Sequence, residues 1–445
     1  MLEADKRYVW HPFTPMKQWV EDADDAGRLI VAGDGFELID ARGRRYIDGF
    51  GSLWCNLHGH RVPKIDSAIR AQLEEIAHST LLGHASVPSI ELAERLVRIS
   101  PAGLEKVFFS DSGATAVEIA LKMAFQYYRN IGQAERKRFI ALRHGYHGDT
   151  IGSVSLGGID TFRQVFAPLL FDATFVETPN AYYHPAGKQG GSAVLRQVDA
   201  ELSAAAGEYC AVVVEPLIQG AAGMLTHPPG FLAALRELTA KHDVLLVADE
   251  VATGFCRTGK LFACEHENVS PDIMCLGKGL TGGYLPVAAT LTTQTIFDAF
   301  CGEAIEGKTF YHGHTYTGNA LGCAAAVASI ELIFESKLLE SLRDKISVIR
   351  DVLGRLADHP HVGDIRQCGM MVGIELVRDR QHKRRFDPVR RVGAAVCKAA
   401  RAQGVITRPL GDVVVLMPAP AMDAGTLGRL LDAIVATIED YEFPV

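Results

Sequence analysis

The sequence has no C-x-x-C pair, no block of like charge, and only 3 tryptophans in 445 residues. Its nine cysteines stand singly at positions 55, 210, 256, 264, 275, 301, 323, 368 and 397. An odd count without close pairs argues against a disulfide framework and a zinc site, and predicts reduced, mostly buried thiols. The most apolar runs, 244–248 and 413–418, fall far short of the roughly 20 residues that span a bilayer. Residues 1–17 mix charges with aromatics and prolines and lack the apolar core of a signal peptide, so a cytoplasmic protein is expected. The formal charge is −8, and Lys and Arg are dispersed. No electrostatic footprint for nucleic acid or an anionic membrane results, which leaves small molecules as the expected partners.

Three common catalytic motifs are missing as well. Gly277-Lys278 is not a P-loop, because Gly279 follows the lysine and Asp272 stands where the first glycine belongs. His144 with His147, and His312 with His314, lack the H-E-x-x-H form, and they read as loop histidines that donate hydrogen bonds; no metal is expected. Gly152-Ser-Val-Ser155 lacks the order of a hydrolase nucleophile elbow.

What is present is an ordinary globular composition, 48% hydrophobic and 22% charged, in a chain long enough for two or three domains. Short apolar or β-branched runs at 107–109, 138–142, 211–214, 244–248, 273–276 and 287–291 alternate with helical patterns. Several are almost continuously apolar, as strands buried on both faces are, which predicts an α/β fold with a mainly parallel sheet. A helical stretch is expected at 321–339 and β-like segments at 370–376 and 413–416. The expected division is a large domain over 60–330, a smaller α+β domain over 331–445, and an N-terminal segment 1–59 that joins the small domain. The stretch 178–192, rich in Pro, Gly and Tyr, reads as a long surface loop over a site.

Functional groups of open parallel sheets lie beyond the carboxyl ends of the strands. The run 244–248 delivers Asp249 there, and 273–276 delivers Lys278 between two glycines. A lysine and a carboxylate in those places suit pyridoxal 5'-phosphate (PLP), which needs an amine for a Schiff base and a carboxylate to keep its ring nitrogen protonated. Ser110-Asp-Ser-Gly-Ala-Thr115 opens a helix whose first N–H groups suit a phosphate, with Thr115 and Glu118 at capping-box spacing. Tyr146, in His144-Gly-Tyr-His-Gly-Asp149, is the candidate for stacking on the cofactor ring.

Together these segments resemble the fold-type I, class III PLP-dependent aminotransferases over nearly the whole chain. The resemblance rests on Asp249-Glu-Val-Ala-Thr-Gly-Phe-Cys-Arg-Thr-Gly259 and Gly277-Lys-Gly-Leu-Thr-Gly-Gly283. Trp10-His-Pro, Asp111-Ser-Gly113, Gly145-Tyr-His-Gly-Asp149, Lys260-Leu-Phe-Ala-Cys-Glu-His266 and His312-Gly-His-Thr315 look like the biotin-pathway branch, which aminates 8-amino-7-oxononanoate (KAPA). The resemblance implies that Gly113 and Ala114 bind the phosphate, Tyr146 stacks, Asp249 pairs with the ring nitrogen and Lys278 is the catalytic amine. It implies a homodimer in which His314 and Thr315 reach the neighbour's phosphate. Phe13, Leu53, Trp54, Tyr146, Lys278, Gly313 and Arg257 are implied substrate contacts, and Arg408 would hold the KAPA carboxylate. Members that use S-adenosylmethionine as donor have Tyr at position 13, Trp at 53 and Pro at 314. The segments 78–83, 283–286 and 361–367 look more like a branch that uses lysine, so either donor is implied. The alternatives are another class III ω-aminotransferase, acting on ornithine, diaminobutyrate or 4-aminobutyrate, an aminomutase, or a PLP-binding protein without turnover.

Overall fold

The strand Leu245–Asp249 is buried along its whole length, as the unbroken apolar run 245–248 that leads to Asp249 requires. In the computed structural model, which describes residues 1–21 and 28–444, it is the central strand of a seven-stranded sheet. The order is Leu104–Ser110, Ala288–Thr293, Ile273–Leu276, Leu245–Asp249, Tyr209–Val214, Arg138–Leu142 and Thr174–Val176. Neighbours are parallel except that Ala288–Thr293 runs against both of its own. The six expected strands are all present. The seventh, Thr174–Val176, is three residues long and too short to show a pattern.

Helix Gly113–Asn130 lays Ala116, Val117, Ala120 and Ala124 into the core shared with this sheet. Its cap differs from the sequence expectation. Ser112 is the N-cap: its Oγ accepts from the Thr115 N–H, and the Thr115 hydroxyl accepts from the Ser112 N–H. Glu118, expected to pair with Thr115, instead accepts from the backbone N–H groups of Gly152 and Ser153. The helical stretch expected at 321–339 is also divided. Helix Ala320–Glu335 ends before Lys337, which has φ +52, and helix Leu338–Leu353 then starts in a new direction.

The C-terminal region forms an antiparallel sheet in the order Val362–Cys368, Met371–Leu376, Val413–Leu416 and Arg408–Leu410, close to the expected β segments. Near the N-terminus, Ile30–Asp34, Glu37–Asp40 and Arg45–Asp48 form a meander, and Val405–Ile406 adds to it in parallel. The two ends of the chain are therefore stitched into one sheet. The loop expected at 178–192 is shorter than that, because a 3-10 turn, Gly187–Gln189, and the start of helix Gly190–Ala204 take its last residues; it meets the C-terminal sheet where the Tyr183 hydroxyl donates to the Glu375 carboxylate. Six of the nine cysteines are buried. Among the described residues no helix is long and apolar enough to cross a membrane.

Leu246, fully buried in the central strand, should be sensitive to truncation. Leu246→Ala is expected to cost about 2–5 kcal/mol, read as a lower thermal unfolding midpoint; an unchanged midpoint would contradict this packing.

Candidate active site

Parallel strands bring their carboxyl ends to one edge, and five of them end here in chemically useful residues. Leu104–Ser110 leads to Gly113, Arg138–Leu142 to Tyr146 and His147, Tyr209–Val214 to Glu215, Leu245–Asp249 to Asp249, and Ile273–Leu276 to Lys278. All six side chains or backbones line one cavity of about 380 Å³, with Trp54, Ala114 and Val251 in its wall.

Asp249 and His147 are both buried, and His147 Nδ1 lies 2.8 Å from Asp249 Oδ2. The other carboxylate oxygen accepts from the Val251 N–H at 3.1 Å. Burial pushes the His147 pKa down, but the hydrogen bond and charge of Asp249 outweigh it and hold the pKa above its ordinary value near 6.5. The pair thus favours an imidazolium facing a carboxylate, which satisfies both buried charges. Lys278 has φ +40, in the left-handed region. Burial lowers its pKa, opposed by Asp249 and Glu215. A lysine in that setting loses its proton more readily, as a nucleophile or general base must.

Helix Gly113–Asn130 points its N-terminus into the cavity. Its first internal bond is Ala116 N–H to Ser112 O, which leaves the N–H groups of Gly113 and Ala114 ahead of the helical ladder. A Cβ at position 113 would lie 2.4 Å from Val251 Cγ1. Only glycine lets the backbone come that close. The Tyr146 N–H donates to Glu215 Oε1 at 2.9 Å, and its hydroxyl donates to Asp149 Oδ2 at 2.6 Å. Burial and then that bond raise the Tyr146 pKa, so the ring stays neutral. Glu215 also accepts from the Gly220 N–H at 2.9 Å, and burial pushes its pKa up to about 7.

Sequence reasoning missed Glu215 and Phe162. Glu215 follows a strand just as Asp249 does, so the strand-end rule would have found it. Phe162 meets Tyr146 edge-on at 5.9 Å and Phe13 at 5.4 Å, a contact without a sequence signal.

The remaining candidates are distributed around this centre. Phe13 and Arg408 line a second cavity, of about 570 Å³. Burial lowers the Arg408 pKa, with the Tyr146 hydroxyl opposing. Leu53 is 46% exposed, whereas Trp54 is buried with Lys278 Nζ 5.0 Å from its ring centroid. Both belong to a short left-handed turn, Gly51–Trp54, in which φ is +58, +47, +66 and +71. Each non-glycine residue held there costs roughly 1–2 kcal/mol. Arg257, expected as a substrate contact, lines neither cavity. Its guanidinium is buried and donates to the carbonyls of Asn56, at 2.7 Å, and Pro418, at 2.9 Å. Gly313, His314 and Thr315 also lie outside both linings; the Thr315 carbonyl instead pairs with His78 Nε2.

The family described as aminotransferase class-III matches residues 21–438. An adenosylmethionine-8-amino-7-oxononanoate aminotransferase of Nitratidesulfovibrio vulgaris is 53% identical over 443 residues, covering 98% of this chain and 81% of that protein. Its counterpart in Geobacter sulfurreducens is 49% identical and covers 98% and 97%. Among solved structures, the enzyme of that name from Methanocaldococcus jannaschii superposes with a TM-score of 0.94 at 43% identity, over 99% of both chains. An amine transaminase from an uncultivated Pseudomonas species, in a PLP-bound form, gives 0.91 at 34% identity over 97% and 98%.

The His147 pKa is raised on folding, so its contribution to stability is complete below the ordinary value near 6.5 and lost as pH rises through the raised value. The thermal midpoints of wild type and His147→Gln should differ most at about pH 6 and converge at alkaline pH. A gap independent of pH would contradict a charged pair.

Proposed function

The chain belongs to the class-III aminotransferase family, and from that membership we propose that it converts KAPA to 7,8-diaminononanoate (DAPA) with bound PLP. The observation that carries this reading is the convergence of Lys278, the Asp249–His147 pair and the open helix N-terminus on one cavity. The glycine cradle at 113 and the two N–H groups beside it fit a phosphate.

When bound, PLP supplies an electrophilic carbonyl and a ring that accepts electrons from the substrate. The chain does the rest. Gly113 and Ala114 hold the phosphate by their N–H groups, and Tyr146 offers its ring face. Asp249, paired with His147, would hold the proton on the pyridine nitrogen. Lys278 Nζ would be the amine that holds the cofactor, and the same nitrogen would take and return the proton of the substrate carbon that carries the amine. Its lowered pKa supports both roles. Arg408 holds the KAPA carboxylate through its planar fork, and Phe13, Leu53 and Trp54 wall the substrate. Arg257 serves the same site from behind the wall.

The names of the relatives favour S-adenosylmethionine as donor. An exposed aliphatic Leu53 where an aromatic wall stands in adenosylmethionine-using members favours lysine as the second reading. Gly313, His314 and Thr315 are proposed to complete the site of a second copy of this chain, in a homodimer working in the cytoplasm.

Purified protein should absorb in the visible, and Lys278→Ala should abolish the spectral change on adding amines; a wild type that ignores added PLP overturns the cofactor. Presenting S-adenosylmethionine and lysine separately to the holoenzyme identifies the donor, and a response to ornithine alone overturns the biotin reading. Arg408→Ala should weaken KAPA by at least about tenfold, the scale of a lost charge-assisted bond, and spare an analogue without the carboxylate. Equal losses would refute the clamp.

A further inference from the structure

We propose that Asp48 is a positioning residue for amino transfer, because it holds the left-handed turn Gly51–Trp54 that sets the Trp54 indole beside Lys278; this rests on the function proposed above. Three successive residues of the turn, Ser52, Leu53 and Trp54, are neither Gly nor Asn nor Asp, the types that enter this region readily. Such residues stay there only where their surroundings over-determine them.

The surroundings can be named. Asp48 is buried. Its Oδ1 accepts from the Ser52 N–H at 3.0 Å, and its Oδ2 accepts from the Ser52 hydroxyl at 2.7 Å. His60 Nε2 lies 3.3 Å from the same Oδ2. One side chain thus pins both hydrogen-bond donors of the first strained residue. The exit is pinned separately: the Gly51 carbonyl accepts from the N–H groups of Cys55 and Asn56, each at 3.0 Å, and Arg257 holds the Asn56 carbonyl. At Gly51 itself a Cβ would lie 2.9 Å from the Met417 carbonyl oxygen. The outcome is an indole fixed between Lys278 and Gly220, where a Cβ would come within 3.2 Å of the ring. Asp48 does not line the cavity, so its route to the site is the turn that it holds.

The inference makes Ser52→Gly change sign with its background. While Asp48 is present, glycine forfeits the hydroxyl bond. Once Asp48 is gone, glycine only removes the left-handed penalty, a shift of roughly 5- to 30-fold in favour of the turn. The experiment uses holoenzyme carrying Trp10→Phe and Trp19→Phe, so that Trp54 is the sole tryptophan. Asp48→Ala should shift Trp54 emission to the red and lower kcat/KM for KAPA about tenfold or more, on the scale of that penalty. Adding Ser52→Gly should restore most of both, while Ser52→Gly alone should not improve either. Equal emission and activity in Asp48→Ala and the double variant, or an Asp48→Ala enzyme indistinguishable from its parent, would overturn the proposal. Should Asp48→Ala fail to fold, Asp48→Asn keeps one acceptor for the Ser52 N–H, and rescue by Ser52→Gly decides in the same way. The emission comparison needs no substrate, so a wild type inert toward KAPA sinks the proposed function and leaves the turn to be judged by fluorescence.

Discussion

A carboxylate at the end of the central strand of a buried sheet must find a positive partner or lose its charge. Asp249 finds His147, and much of the site follows from that pairing. The strand that leads to His147 is not next to the strand that ends at Asp249; Tyr209–Val214 lies between them. The segment after Arg138–Leu142 therefore has to cross the end of the intervening strand. Glu215 stands at that crossing and grips the Tyr146 N–H. Fixing His147 against Asp249 thus also fixes the aromatic ring of the residue just before it, so both side chains sit on one loop held at two points.

How much of this could be read from the sequence depends on where the information sits. Residues 138–142 and 273–276 match their strands end to end, because the positions buried on both faces, 139–142 and 273–276, are apolar without interruption and are bounded by polar or glycine residues. Strand ends in turn locate Asp249 and Lys278. The same rule applied to Val214 would have located Glu215, so that omission was not a limit of the sequence. The cap of helix Gly113–Asn130 was displaced for a different reason. Ser112 and Thr115 satisfy the capping spacing as well as Thr115 and Glu118 do, and only the tertiary demand of the Gly152 and Ser153 N–H groups on Glu118 separates the two.

Other features have no local signal at all. Arg257 lies in a motif that carries catalytic residues, yet its guanidinium is used on carbonyls from two distant segments. Burial at this level is decided by what packs over the residue, which spacing does not report. The left-handed turn is the extreme case. Gly51-Ser-Leu-Trp54 has one residue with the conformational freedom for that region and three without it. A propensity argument would have placed this segment anywhere else in φ/ψ space, and the anchors that overrule it come from Asp48 before the turn and from the Arg257 network after it.

The arrangement also explains why both ends of the chain are needed near one cavity. The meander that ends at Asp48 pairs with Val405–Ile406, and Arg408 follows two residues later. Arg408 opens the next strand, Arg408–Leu410, which belongs to the C-terminal sheet, so the chain passes from the sheet of Asp48 to that of Arg408 within two residues, although 360 positions separate the two in the sequence. The first leads into the turn that holds Trp54 beside Lys278, and the second lies in the cavity that also contains Phe13. Phe162, touching both Phe13 and Tyr146 edge-on, joins that outer cavity to the inner one. Under the proposed function, a substrate with a reactive nitrogen at one end and a carboxylate at the other would meet Lys278 beyond the large sheet and Arg408 on the C-terminal one. The strand pair at Asp48 and Ile406 thus ties the entry of the turn that holds Trp54 to the start of the strand that carries Arg408, so the two sheets are joined at the point where the cavities meet their walls.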